Sequence, residues 1–218
     1  MPASALLPIA AAAVLFLAFP ALCAAQDDKP VARPEVKPGD SWSYRRIDFW
    51  TNKTTGIGTV TVTFANDRVI QTVTKVVGDE KEHDAIHTAD WNNVSSFNGG
   101  IFTPDQGIFK FPLQVGKTYK AVYDLKLPRL GVFQMKHDRT VKVVGWEDIE
   151  VPAGKFRALK LESEGPFQRV DTSGSGTAKD VIWYVPEVKR FVKWNYEDAW
   201  GRGRNNWFGF ELVTYTLQ

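Results

Sequence analysis

The clearest signal in the chain is alternation. Over residues 58–64, Val60, Val62 and Phe64 fall on one side of an extended backbone and Thr59, Thr61 and Thr63 on the other, the period of a half-buried strand. Tyr119, Ala121, Tyr123 and Leu125 alternate with Lys120, Asp124 and Lys126, with Val122 as the exception. Val192, Trp194 and Tyr196, then Val213, Tyr215 and Leu217, repeat the pattern near the C-terminus. The same reading predicts strands over 41–50, 68–77, 84–92, 133–146, 156–163 and 178–185. Turn residues separate them, at 52–56, Asn66-Asp67, Gly78-Asp79, 98–100 and the D-T-S-G-S-G run at 171–176. The least ambiguous hairpin spans 144–161, where Pro152 supplies the fixed φ of a turn's first corner and Gly154 the left-handed residue that closes it.

No segment of helical length with apolar spacing follows residue 25. The chain therefore reads as all-β: consecutive hairpins forming a curled antiparallel sheet, an open barrel or a sandwich. Residues 36–42 echo 113–119, and 72–78 echo 140–145, in the same order but at different spacing. One β domain over 40–218 is expected, and the echo would divide it into similar halves, 40–110 and 111–218.

Ahead of that domain, residues 1–25 are almost wholly apolar and end in Ala21-Leu22-Cys23-Ala24-Ala25 before Gln26-Asp27-Asp28, the pattern of a secretory signal peptide. The competing readings are a retained membrane anchor and, through Cys23, a lipoprotein, although Leu22 departs from the small residue that lipoprotein signals place before the cysteine. Residues 26–39 hold prolines at 30, 34 and 38 and read as an extended, Pro-rich linker. Periplasmic or secreted localisation follows, with no membrane span after cleavage.

Composition sharpens this picture in two ways. Cys23 is the only cysteine, so a chain cleaved after Ala25 forms no disulfide and its roughly 190 residues must be stabilised by their own core. A net charge of +2 excludes a nucleic-acid partner as the organising function. Eight tryptophans within 13% aromatics fit a β-rich core and leave room for a stacking surface.

Gly116-Lys117-Thr118-Tyr119, the 151–158 run V-P-A-G-K-F-R-A, the 183–188 run W-Y-V-P-E-V and the 211–215 run E-L-V-T-Y occur in an order that resembles a family of exported bacterial β-domains of unknown function, called TapB-like. The resemblance covers roughly the second half of the chain, with Pro38 to Trp42 as a weaker match in the first. Lys189 stands where the W-Y-x-P-x-V-G pattern has a turn glycine. The resemblance implies a periplasmic or secreted β-domain and supplies no catalytic residue.

The residues themselves offer little chemistry. His83 and His87 would share a strand face, but a metal needs three or four converging ligands and His137 lies in another hairpin, so no metal or other cofactor is assigned. Glu162 and Glu164 stand beside a Ser-Gly-Pro turn and read as solvated acids. Ser173 and Ser175 lack the strand-turn-helix setting of a nucleophile. The segment 194–208 is richer: Trp194, Trp200, Arg202, Arg204 and Trp207 interleave over a Gly-rich loop, the combination that stacks on sugar faces and hydrogen-bonds hydroxyls or carboxylates. The function expected is a non-catalytic envelope protein that holds an apolar ligand or a protein partner on a curved sheet. The alternative is a glycan-binding module using the 200–207 loop.

Overall fold

A computed structural model describes residues 29–128, 133–170, 172–201 and 203–218. The signal-peptide reading and the first residues of the linker lie outside them. Twelve strands follow one another: β1 Ser41–Asp48, β2 Lys53–Ala65, β3 Val69–Val76, β4 Glu82–Thr88, β5 Asn93–Ser95, β6 Ile101–Thr103, β7 Thr118–Leu127, β8 Phe133–Val151, β9 Gly154–Arg169, β10 Ser175–Val185, β11 Arg190–Trp200 and β12 Gly203–Thr216. Each pairs antiparallel with its predecessor, and β1 pairs with β12, so the sheet closes into a barrel. A single 3-10 turn, Pro186–Val188, is the only helical element among the described residues. Of the three all-β arrangements expected, the curled sheet is the one formed, and it closes completely. Closure satisfies the two edges that an open sheet would leave unpaired.

The alternation read from the sequence becomes inside and outside. On β2 and β3, Val62 and Thr72 are paired and buried, while Thr63 and Gln71 face water. The 144–161 hairpin forms between β8 and β9, with Val151 opposite Gly154 and Gly154 at φ 131°. The two echoes fall on β1 and β3 in one half but on β7 and β8 in the other.

One expected turn is absent. β9 runs straight through Ser163, Gly165 and Pro166, which pair with Asp180, Ala178 and Thr177 of β10. Gly165 is demanded by packing rather than by a bend, because a Cβ there would stand 2.2 Å from the Asp138 carbonyl oxygen.

Twelve strands enclose more space than the eight whose own side chains fill a lumen. Here the lower end is filled by chain as well as by side chains. The segment between β6 and β7 crosses it and buries Ile108, Phe109 and Leu113, with the Phe109 backbone clamped by both amide atoms of Asn92 at 2.7 and 2.8 Å. Residues 30–39, read as a linker, lie along the same end: Val31 bridges Leu113, Val36 packs on the core, and Arg33 pairs with Asp90.

Trp42, fully buried, anchors this end from β1. Its indole donates to the Val188 carbonyl at 2.8 Å, and its ring meets Trp91 edge-on at 5.4 Å. Lys189, in place of the turn glycine, takes the left-handed conformation at φ 61° and sends its ammonium to the buried Asp40 carboxylate at 3.1 Å. The lysine thus replaces a conformational fit by an ion pair.

Candidate functional site

Strand register sets what the lumen holds. Inward positions of β10 are Ala178, Asp180, Ile182 and Tyr184, and those of β8 include His137, Arg139 and Val141, so two charged groups face each other inside the barrel. Arg139 donates from Nη1 to Asp180, both side chains being almost sealed from solvent. Trp194 Nε1 donates to the other Asp180 oxygen at 2.7 Å. Burial alone would lower the Arg139 pKa, but the Asp180 charge and hydrogen bond, together with Tyr123 and Tyr196, outweigh it and hold the guanidinium protonated. Above this pair, Tyr196 and Asn206 both donate to Asp198. His137 is stacked on Tyr123 at 4.7 Å and has no hydrogen-bond partner on either ring nitrogen.

A second arginine is arranged differently. Arg190 follows the 3-10 turn at the start of β11, and its guanidinium carbon lies 4.2 Å from the centre of the Trp91 ring and 5.3 Å from that of Trp42, with Tyr44 and Phe191 on its other sides. No carboxylate among the described residues pairs with it. Nε and Nη1 are buried without a hydrogen-bond partner, as are Nε1 of Trp91 and the Tyr184 hydroxyl. Burial lowers the Arg190 pKa from its usual value, and that of Tyr184 is pushed up by burial and then by Glu187. His87, also on the wall, is pushed down to about 3 by burial first and by the Arg190 charge second, so it is neutral at neutral pH.

These groups surround a cavity of about 30 Å³, walled chiefly by Trp91, Phe109, Tyr184, Arg190, Phe191 and Trp194. A wider cleft of about 240 Å³ lies between the 33–36 segment and Ala65–Ile70. Its one cation is already engaged, Arg33 with Asp90 and with the Asp67 carbonyl, and none of its side-chain polar atoms is buried without a partner. The cavity at Arg190 is therefore the candidate site.

The five residues expected to bind ligand do not form one surface. Trp194 points into the lumen and lines the cavity. Trp200 pairs with Gly176 and so shares the inward face of Phe167 and Ala178, near the open end. Trp207 pairs with Glu197 on the outer face, where it meets Phe49 and the exposed Trp50. Arg202 lies outside the described residues, and of Arg204 only its place on β12 is described. His83 and His87 do share the lumen face, but His83 bonds Asp79 and His87 bonds Thr72. Among the described residues no three metal-ligating side chains converge. Glu162 is paired with Lys160 on the outside of β9.

Sequence reasoning missed Arg190, Trp91, Tyr184 and Phe109. A signal for the arginine was present: Arg190 shares the strand parity of Val192, Trp194 and Tyr196, and Arg139 and Asp180 each occupy an inward parity position. A charged group on an inward face is either paired or functional.

The fold and cavity define a class, a closed antiparallel β-barrel whose largely apolar interior holds a small aromatic-walled polar cavity. Two solved structures share that fold. One is a provisionally assigned lipoprotein from Parabacteroides distasonis, 11% identical over 87% of this chain and all of its own, with a TM-score of 0.51. The other is a provisionally assigned exported protein with a YmcC-like fold from Bacteroides fragilis, 13% identical over 86% of this chain and all of its own, with a TM-score of 0.52. At such identities the likeness concerns the fold. No family model and no curated protein matches the chain, so the TapB-like resemblance stands without a family match. No helix among the described residues is long and apolar enough to cross a membrane.

Proposed function

We propose that the chain is an exported, non-catalytic barrel domain that binds a compact ligand, or the end group of a longer one, inside its lumen at Arg190. Export is supported by the signal-peptide pattern of residues 1–25 and by the descriptions of the two structural neighbours as a lipoprotein and an exported protein. One observation carries the binding reading: a cavity whose wall presents buried polar atoms without partners. Such atoms each cost on the order of 1–3 kcal/mol, which a bound group would recover. The small volume favours a compact group over a bulky apolar cargo, because drug-sized ligands occupy about 300–1,000 Å³.

The test is native mass spectrometry of protein purified from its own envelope, followed by extraction of anything retained. A stoichiometric small molecule on a chain beginning at Gln26 is the expected result. A bare protein whose thermal unfolding no small molecule shifts would overturn the reading.

A glycan-binding function has its own observation: Phe49, Trp50 and Trp207 form an outward aromatic cluster, with Trp50 58% exposed. Replacing Trp50 and Trp207 with alanine should abolish glycan pull-down if that function holds, and undiminished pull-down eliminates it.

A further inference from the structure

We infer that the cavity at Arg190 takes a carboxylate, either of a free small acid or as the head of a longer amphiphile. The inference rests on the lumen-binding reading and deepens it. Arginine and indole nitrogens can only donate, and four buried atoms on this wall have no partner: Arg190 Nε and Nη1, Trp91 Nε1 and the Tyr184 hydroxyl. Of the remaining polar wall groups, His87 Nε2 bonds Thr72 at 3.1 Å and Asn93 Nδ2 donates to Gln106 at 2.7 Å, and neither residue has a buried atom without a partner. The wall therefore offers a surplus of donors, which calls for a ligand rich in acceptors.

Charge narrows the class further. Arg190 is the only cation on the wall, since His87 is neutral, and the nearby Asp180 is committed to Arg139 and Trp194. The ring faces around Arg190 attract its charge but leave the in-plane N–H groups of Nε and Nη1 unbonded. A single negative charge matches this cation, whereas a phosphate dianion would bring a second charge with no counterpart. A carboxylate also fits the fork of a guanidinium with two parallel bonds. A cavity of about 30 Å³ admits one such group. The flanking Trp91, Phe109 and Phe191 rings suit the carbon skeleton attached to it.

The experiment is calorimetric titration and thermal unfolding of the mature chain with acetate, laurate and the neutral acetamide, on wild type, Arg190→Gln and Arg190→Lys. The Nε–H resonance of Arg190 is followed by NMR. Arg190→Gln removes an unpaired buried charge, so it should fold with an undiminished Tm. Carboxylate should shift the Arg190 resonance and raise the wild-type Tm, acetamide should do neither, and Arg190→Gln should lower affinity at least ~10-fold, with Arg190→Lys between the two. Response to acetate identifies a free acid and response to laurate alone identifies a head group, and either supports the inference. Equal binding of acetamide, or carboxylate binding unchanged in Arg190→Gln, would overturn the carboxylate while leaving lumen binding in place. No response to any probe, together with no retained molecule, would overturn both.

Discussion

Replacing Asp180 with asparagine isolates the electrostatics of the lumen. The substitution preserves shape and leaves an amide oxygen for Trp194 Nε1, which now donates to Asp180 at 2.7 Å. What it removes is the charge opposite Arg139, in a place where the two side chains are only 2% and 1% exposed. An exposed pair would contribute about 0–1 kcal/mol, but stripping one partner from a buried pair leaves a charge that neither water nor another carboxylate compensates, at about 3–5 kcal/mol. For a domain of this size each kcal/mol moves the midpoint by about 2–4 °C, so Asp180→Asn should lower Tm by about 6–20 °C. Urea unfolding followed by tryptophan fluorescence measures the loss directly. The double variant Arg139→Met/Asp180→Leu should recover part of it, because two apolar groups of similar size leave no orphaned charge, while Trp194 Nε1 loses its acceptor. A cost below about 1 kcal/mol for Asp180→Asn would show that water reaches the pair and would refute the sealed lumen described here.

The buried histidines make stability fall with acidity. His87 and His137 are both pushed down to about 3 by burial, so the unfolded chain binds protons that the barrel does not between pH 6.5 and 3. Stability is therefore complete above pH 6.5 and declines below it, approaching about 1.4 kcal/mol per pH unit for each histidine. Urea midpoints at pH 7, 5.5 and 4.5 test this, and His137→Phe should flatten the slope. Lys189→Gly relieves a left-handed residue by about 1 kcal/mol but deprives the buried Asp40 of its ion pair. The net result should be a loss of about 1–2 kcal/mol, and a gain in the urea midpoint would show that the pair contributes little. Gly165→Ala would place a methyl 2.2 Å from the Asp138 carbonyl and 2.8 Å from the Arg139 Cα. Forcing β8 from β9 should cost about 3 kcal/mol or more in the same assay.

Local periodicity was enough to read most of the strands, though not the short β5 and β6, and the stretch from Gly203 to Trp207, read as part of a Gly-rich loop, opens β12 instead. Val60 and Val62 against Thr59, Thr61 and Thr63 define two faces whatever the neighbours are, and Pro152 with Gly154 turns the chain by its own backbone preferences. The leader-like residues 1–25, the lack of any cysteine beyond Cys23 and the modest net charge likewise need no fold to be recognised. Ser163, Gly165 and Pro166 misled for the same reason: their local preference is a turn, but pairing with β10 and the close approach of Asp138 hold them extended. Only the tertiary structure decided that β12 returns to β1, because that pairing joins residues more than 150 positions apart and no local pattern encodes it. The same holds for the lumen. Trp194, Trp200 and Trp207 are neighbours in sequence yet divide between inside and outside by strand parity and a bulge, whereas Trp91 lies more than 90 positions before Tyr184 and Arg190 and meets them only because the barrel closes around them. The charge of Arg190 is written in the chain, but its isolation from every carboxylate among the described residues is a property of the fold.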